Sequence, residues 1–113
     1  MADKSKGRVF FGKTGGFTNI PMEYVLFDKG QLFKIQHDSL LRVRKLVGKQ
    51  VKNLDSIRNE IDFKTINLNE TGNITYYIKV VSSEFEKEIK WTDSSDNNKI
   101  KTFYKALVST IKE

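Results

Sequence analysis

Apolar residues recur along this chain with two different spacings. Over residues 8 to 11 (RVFF), 22 to 28 (MEYVLFD), 31 to 37 (QLFKIQH), 74 to 82 (ITYYIKVVS) and 84 to 92 (EFEKEIKWT) they are β-branched or aromatic and alternate or run together, which predicts strands. The run 22 to 28 is apolar on both alternating faces, with Met22, Tyr24 and Leu26 on one and Val25 and Phe27 on the other, as expected of a central strand covered on both sides. In 84 to 92, Phe85, Ile89 and Trp91 oppose Glu84, Glu86, Glu88 and Lys90, so one face is packed and one is wet. Lys87 falls in line with the apolar set, at a sheet margin or with its stem over apolar surface. Residues 39 to 46 (SLLRVRKL) alternate enough for a further strand, with a helix start as the alternative. Val47, Val51, Leu54, Ile57 and Ile61 then fall at helical spacing and predict a one-faced helix over 48 to 61. Ile100, Phe103, Leu107 and Ile111 do the same for a closing helix over 97 to 112, with its N-cap supplied from the loop 94 to 98.

Between these elements, Gly12, Gly15 and Gly16 predict that the first strand ends in a flexible loop over 12 to 16. Lys29-Gly30 predicts a tight hairpin with glycine at the second turn position. An Asn-, Thr- and Gly-rich loop spans 67 to 73. With 113 residues and no repeat or Pro-rich linker, the chain makes one domain, residues 1 to 7 being a flexible tail. The expected fold class is α+β: an antiparallel sheet of five or six strands with two amphipathic helices on one face. Tyr24, Leu26, Phe33, Ile35, Tyr76, Ile78, Phe85, Ile89 and Trp91 form the surface under the helices, which leaves Val25, Phe27 and Tyr77 without a helix to bury them.

Composition narrows the chemistry. Hydrophobic residues at 38% with 12% aromatics exclude a disordered chain, and the absence of cysteine excludes disulfides, thiolate ligands and cysteine nucleophiles. No apolar stretch reaches the ~20 residues of a membrane span, and no signal-peptide core follows Met1. The chain therefore reads as cytoplasmic, or as exported where it is a fragment whose signal has been replaced. The net charge of +6 is uneven: residues 29 to 52 carry seven basic residues against Asp38, and residues 53 to 98 carry five basic against nine acidic. Arg42, Arg44, Lys45, Lys49 and Lys52 make this basic zone either a solvated face, an anion-binding patch or one half of a self-complementary pairing.

Several motifs dissolve on inspection. Residues 7 to 14, GRVFFGKT, match the P-loop pattern letter for letter, but the intervening residues favour strand and Gly-Gly-Phe-Thr-Asn-Ile-Pro cannot open the phosphate-binding helix. KGRVFF over 6 to 11 is similar to the basic-Gly-aromatic strands of RNA-binding sheets, with Arg8 where an aromatic is expected. His37 stands alone, which leaves neither a two-histidine metal site nor a supported Ser-His-Asp arrangement, so no metal or cofactor is implied. Glu84, Glu86 and Glu88 sit on a wet face, where charge-patterned solubility and not acid-base chemistry is the expected role. Asn69 and Asn73 head glycosylation sequons that matter only on export.

Gly15-Gly16-Phe17-Thr18, the strand with Tyr24 and Leu26, the turn Asp28-Lys29-Gly30, Thr71-Gly72-Asn73 and Lys90-Trp91 form an ordered series. Over residues 9 to 110 it resembles a group of small bacterial domains of unknown function, with a Gly-Gly-Phe-Thr loop, an Asp-Gly hairpin, a Pro-Gly-Asn turn, an Ile-Thr-Trp strand and a closing helix. Thr71 replaces the group's proline and Lys90 its threonine. The resemblance implies a fold unit, in many members with an export or lipoprotein signal, and no catalytic residues.

The leading expectation is a noncatalytic binding or interaction module. Its ligand-binding loop candidates are Gly15, Gly16, Phe17, Gly72 and Asn73, since loops on a rigid sheet carry recognition. Its partner is an unknown protein or a second copy across the outer sheet face. Electrostatic binding of nucleic acid or another anionic surface through the basic zone is the alternative, and a cofactorless enzyme is third.

Overall fold

The computed structural model describes residues 7–15, 22–36, 38–63, 65–82 and 86–111. Six strands and two helices follow in the order β1 (Arg8–Gly15), β2 (Met22–Phe27), β3 (Gln31–Gln36), β4 (Ser39–Lys45), α1 (Gly48–Asn59), β5 (Ile74–Val81), β6 (Glu86–Trp91) and α2 (Asn98–Ser109). The strands form one sheet in the order β4-β3-β2-β1-β5-β6, antiparallel throughout. This is the expected α+β architecture, with six strands and with residues 39 to 45 as the edge strand.

The helix-covered face is set by the cross-strand register. Val9 lies beside Leu26 and Val80, Phe11 beside Tyr24 and Ile78, and Ile78 beside Ile89. With Ile100, Phe103 and Leu107 of α2 and Leu54 of α1, these residues form one hydrophobic cluster. Phe11, Ile78, Ile89, Ile100 and Leu107 are fully buried. Tyr104 of α2 packs edge-on against Phe11, Tyr76 and Trp91, so one aromatic side chain ties the helix to three strands. Asn97 caps α2 as expected, its side chain accepting a hydrogen bond from the Ile100 amide.

Four details depart from the sequence expectations. β1 continues through Gly12 to Gly15 instead of breaking into a loop. Gly12 is required by close approach: a Cβ there would stand 1.9 Å from the Met22 carbonyl oxygen, so the glycine admits the neighbouring strand without ending its own. In the β2–β3 hairpin, the Gly30 amide bonds the Phe27 carbonyl at 2.9 Å, and Gly30 itself takes a φ of 94°. Glycine is thus the fourth residue of the turn, not a central one, and the extra residue pairs Leu26 with Leu32. The whole of β3 is rotated by one position as a result: Leu32 enters the core, while Phe33 and Ile35 lie on the opposite face from the one expected. Finally, Gly7 is buried and its carbonyl accepts from the Asp28 amide, so it belongs to the domain and not to a tail. Val47 is 60% exposed ahead of α1, whereas Ile61 beyond its end is buried. Phe85 lies outside the described residues.

Candidate interaction face

The face of the sheet away from the helices carries an aligned set of side chains. Reading the register across all six strands gives a row Arg42, Phe33, Val25, Phe10, Lys79, Glu88, each residue paired with the next. Its centre is apolar, and its two ends are opposite in charge. Val25 is only 1% exposed although no helix covers it, because Phe33 and Phe10 flank it on the adjacent strands. The half-buried Phe27 adds an edge-on contact to Phe33, with ring centroids 5.5 Å apart. Arg8 and Lys79 bring their charges 5.8 and 5.7 Å from the Phe10 ring centroid. Val25 thus has no helix over it, as expected, and its neighbours on the same face bury it.

A second row runs beside the first. Gly12 separates Glu23 on β2 from Tyr77 on β5, and the Tyr77 phenol hydrogen-bonds the Glu23 carboxylate across the gap left by the missing side chain. Burial first, then the charge and hydrogen bond of Glu23, hold the Tyr77 phenol protonated well above its ordinary range. A shallow depression of about 400 Å³ lies over this gap, walled by Phe10, Ile35, Tyr77 and Lys90. At the β4 edge Leu40 is 51% and Leu41 48% exposed.

Of the ligand-loop candidates, Gly15, Gly72 and Asn73 meet at one end of the sheet. Gly15, with φ 98°, pairs with Ile74, and a Cβ on it would stand 2.0 Å from the Asn73 carbonyl oxygen. The Gly72 amide donates to the Thr75 hydroxyl, which donates back to the Gly72 carbonyl, so this segment is a hydrogen-bonded turn. Gly16 and Phe17 lie outside the described residues, as do His37 and Glu84.

The basic zone is divided. Arg42 is on the open face beside Phe33, whereas Arg44, past a bulge in β4, pairs with Leu32 on the helix side and donates to the Thr110 carbonyl at the end of α2. Lys49 and Lys52 are exposed on α1, and Lys45 closes β4 opposite Gln31. The P-loop match occupies β1 and the residue before it, which leaves no phosphate cradle over 7 to 14. Glu86 and Glu88 are exposed, Glu86 pairing with Lys79 at 3.0 Å.

On the other side of the sheet a cleft of about 290 Å³ opens beside α1, with Val9, Leu26 and Leu54 as floor and Asp28, Asp55 and Arg58 on the rim. Among the described residues no three His, Cys, Asp or Glu side chains gather to hold a metal ion. No helix among them is long and apolar enough to cross a membrane. The chain matches no protein-family model and no curated protein.

Reading the sequence alone missed the cross-sheet row and the Gly12 gap. Two signals pointed to them: β2 is apolar on both alternations, and Phe10 precedes Phe11 directly, so one phenylalanine has to lie on the outer face.

Proposed function

We propose that this chain is a noncatalytic interaction module that docks a macromolecular partner through the open face of its sheet. The observation that carries the reading is the Phe33–Val25–Phe10 centre bounded by charge at both ends, the apolar middle and polar rim of a protein-binding patch. A photoreactive benzoylphenylalanine at Leu40, on the exposed edge of this face, tests it in cells that naturally make the protein. Adducts are expected from that position and not from a control at exposed Lys105 of α2; equal labelling at both, or none at Leu40, would overturn it.

A second reading, binding of single-stranded nucleic acid, draws on Arg8, Arg42 and Lys79 lying beside Phe10 and Phe33, an arrangement of cations and stacking surfaces. Glu23 and Glu88 on the same face oppose it, and Arg44, Lys49 and Lys52 lie off that face. Amide NMR with a mixed oligonucleotide at ~50 and ~200 mM salt separates the readings, because phosphate contacts lose most affinity over that range. Shifts in β1, β3 and β4 that vanish at the higher salt would favour nucleic acid.

A further inference from the structure

We infer that the partner of the open face is a second copy of this chain, related by a two-fold axis that runs along the strands between β1 and β2. This rests on the interaction-face reading above and adds the identity and orientation of the occupant.

The strand order fixes the geometry. β4 and β6 are the two edges, and the midline of β4-β3-β2-β1-β5-β6 falls between β2 and β1. Two identical sheets can meet face to face about an axis parallel to the strands or about one perpendicular to them. The perpendicular axis sets β4 on β4 and β6 on β6, which brings Arg42 over its own copy and Glu88 over its own copy. The parallel axis sets β4 on β6 and keeps each cross-strand row over itself, reversed.

Under the parallel axis the central row is complementary in charge at its ends and apolar near the axis, where Val25 is already buried by its neighbours. Arg42 meets the partner's Glu88, Phe33 meets the partner's Lys79, and Val25 meets the partner's Phe10. The next row sets Ile35 against the partner's Tyr77, while Glu23 and its copy flank the axis. Aligned sheets cross at about 30°, so the match is closest near the axis and loosens toward the edges. Arg42 and Glu88 are both exposed, and neither forms an ion pair with another described residue of its own chain, so each is available to the other copy.

Size is consistent with a stable pair. Six strands ~4.8 Å apart and about six residues long present a face of roughly 600 Å² in projection, near the ~800 Å² per partner of an ordinary specific interface. The opposite charges of Arg42 and Glu88 at the two ends of the row are on this arrangement what selects one axis over the other.

The test is sedimentation velocity of the full chain from ~5 to ~500 µM, with Arg42→Glu, Glu88→Arg and the double exchange. A dimer is expected, weakened about tenfold or more by either single reversal and restored to within about threefold by the double exchange. Both positions are exposed, and recovery in the double variant shows that the singles lost pairing and not folding. A dimer that ignores both reversals, or one weakened by them but not restored, would overturn the two-fold arrangement. A strict monomer up to the highest concentration would overturn the self-pairing while adducts from Leu40 in cells kept the interaction face itself, so the two failures are distinguishable.

Discussion

Gly12→Ala inserts one methyl group from β1 against the backbone of β2. The new Cβ would stand 1.9 Å from the Met22 carbonyl oxygen and 3.0 Å from the Glu23 Cα, both backbone atoms that cannot rotate away. The strands have to part by about an ångström, an overpacking that costs ~1–3 kcal/mol. The displaced segment pairs Gly12 with Glu23, so a ladder hydrogen bond worth about 1 kcal/mol is stretched with it. A loss of roughly 2–4 kcal/mol is expected, which for a domain of this size lowers the melting temperature by about 10–20 °C. Gly48→Ala is the matched control, because nothing lies within 4 Å of its Cβ position at the start of α1. That change should stabilise by about 0.5–1 kcal/mol through the unfolded chain. Thermal unfolding followed by circular dichroism measures both. A Gly12→Ala protein that melts with the parent would refute the close-approach explanation of this glycine and return it to the status of a loop residue.

Phe103→Ala, removing a ring that is 1% exposed and packed on Phe63, should cost about 3–5 kcal/mol in urea unfolding. Asn97→Ala leaves the Ile100 amide without its cap and should cost about 1 kcal/mol, with Asn97→Asp retaining most of it. Burial raises the phenols of Tyr76, Tyr77 and Tyr104 above their ordinary value of 10.0. Above that pH the unfolded chain sheds protons that the folded one keeps, so stability is fully present below about pH 10 and falls as pH rises further. Absorbance at 295 nm should show these phenols ionising together with unfolding, and Tyr77→Phe should flatten the decline.

Element type was legible because each element obeys one periodicity. The helical spacing of Ile100, Phe103 and Leu107 and the alternation of Ile89 and Trp91 survive in the structure with their ends displaced by one to three residues. What could not be read was phase. In QLFKIQH the apolar residues are Leu32, Phe33 and Ile35, so either alternation supplies an apolar face. The choice between them is made by the turn, where one additional residue before Gly30 moves Leu32 under the helices and Phe33 outside. Glycine was ambiguous for a related reason: Gly12 and Gly15 look alike in sequence, but one is demanded by a neighbouring carbonyl within the sheet and the other also by a positive φ at the strand end.

The same shift of phase is what creates the candidate site. Had Phe33 faced the helices, the row across the open face would have read Arg, Leu or Lys, Val, Phe, Lys, Glu, with its apolar stretch cut short at Val25. With Phe33 outside, three apolar residues on adjacent strands stand together, and Arg42 follows them at the edge because a bulge at Val43 keeps it in line while turning Arg44 to the other side. A hairpin glycine and one bulge thus decide together how far the apolar patch extends and which charge borders it. Neither is a binding residue, and a search of the sequence for binding residues passes over both. Their effect is on register alone, and register follows the pairs that flank the turn: deleting Lys29 leaves the two-residue turn Asp28-Gly30 with Leu26 still opposite Leu32, so Leu32 should stay in the core and Phe33 on the open face. Amide NMR that shows the Leu26–Leu32 pairing intact would bear this out, and a pairing moved to Leu26–Phe33, with the loss of stability from exposing Leu32, would refute it.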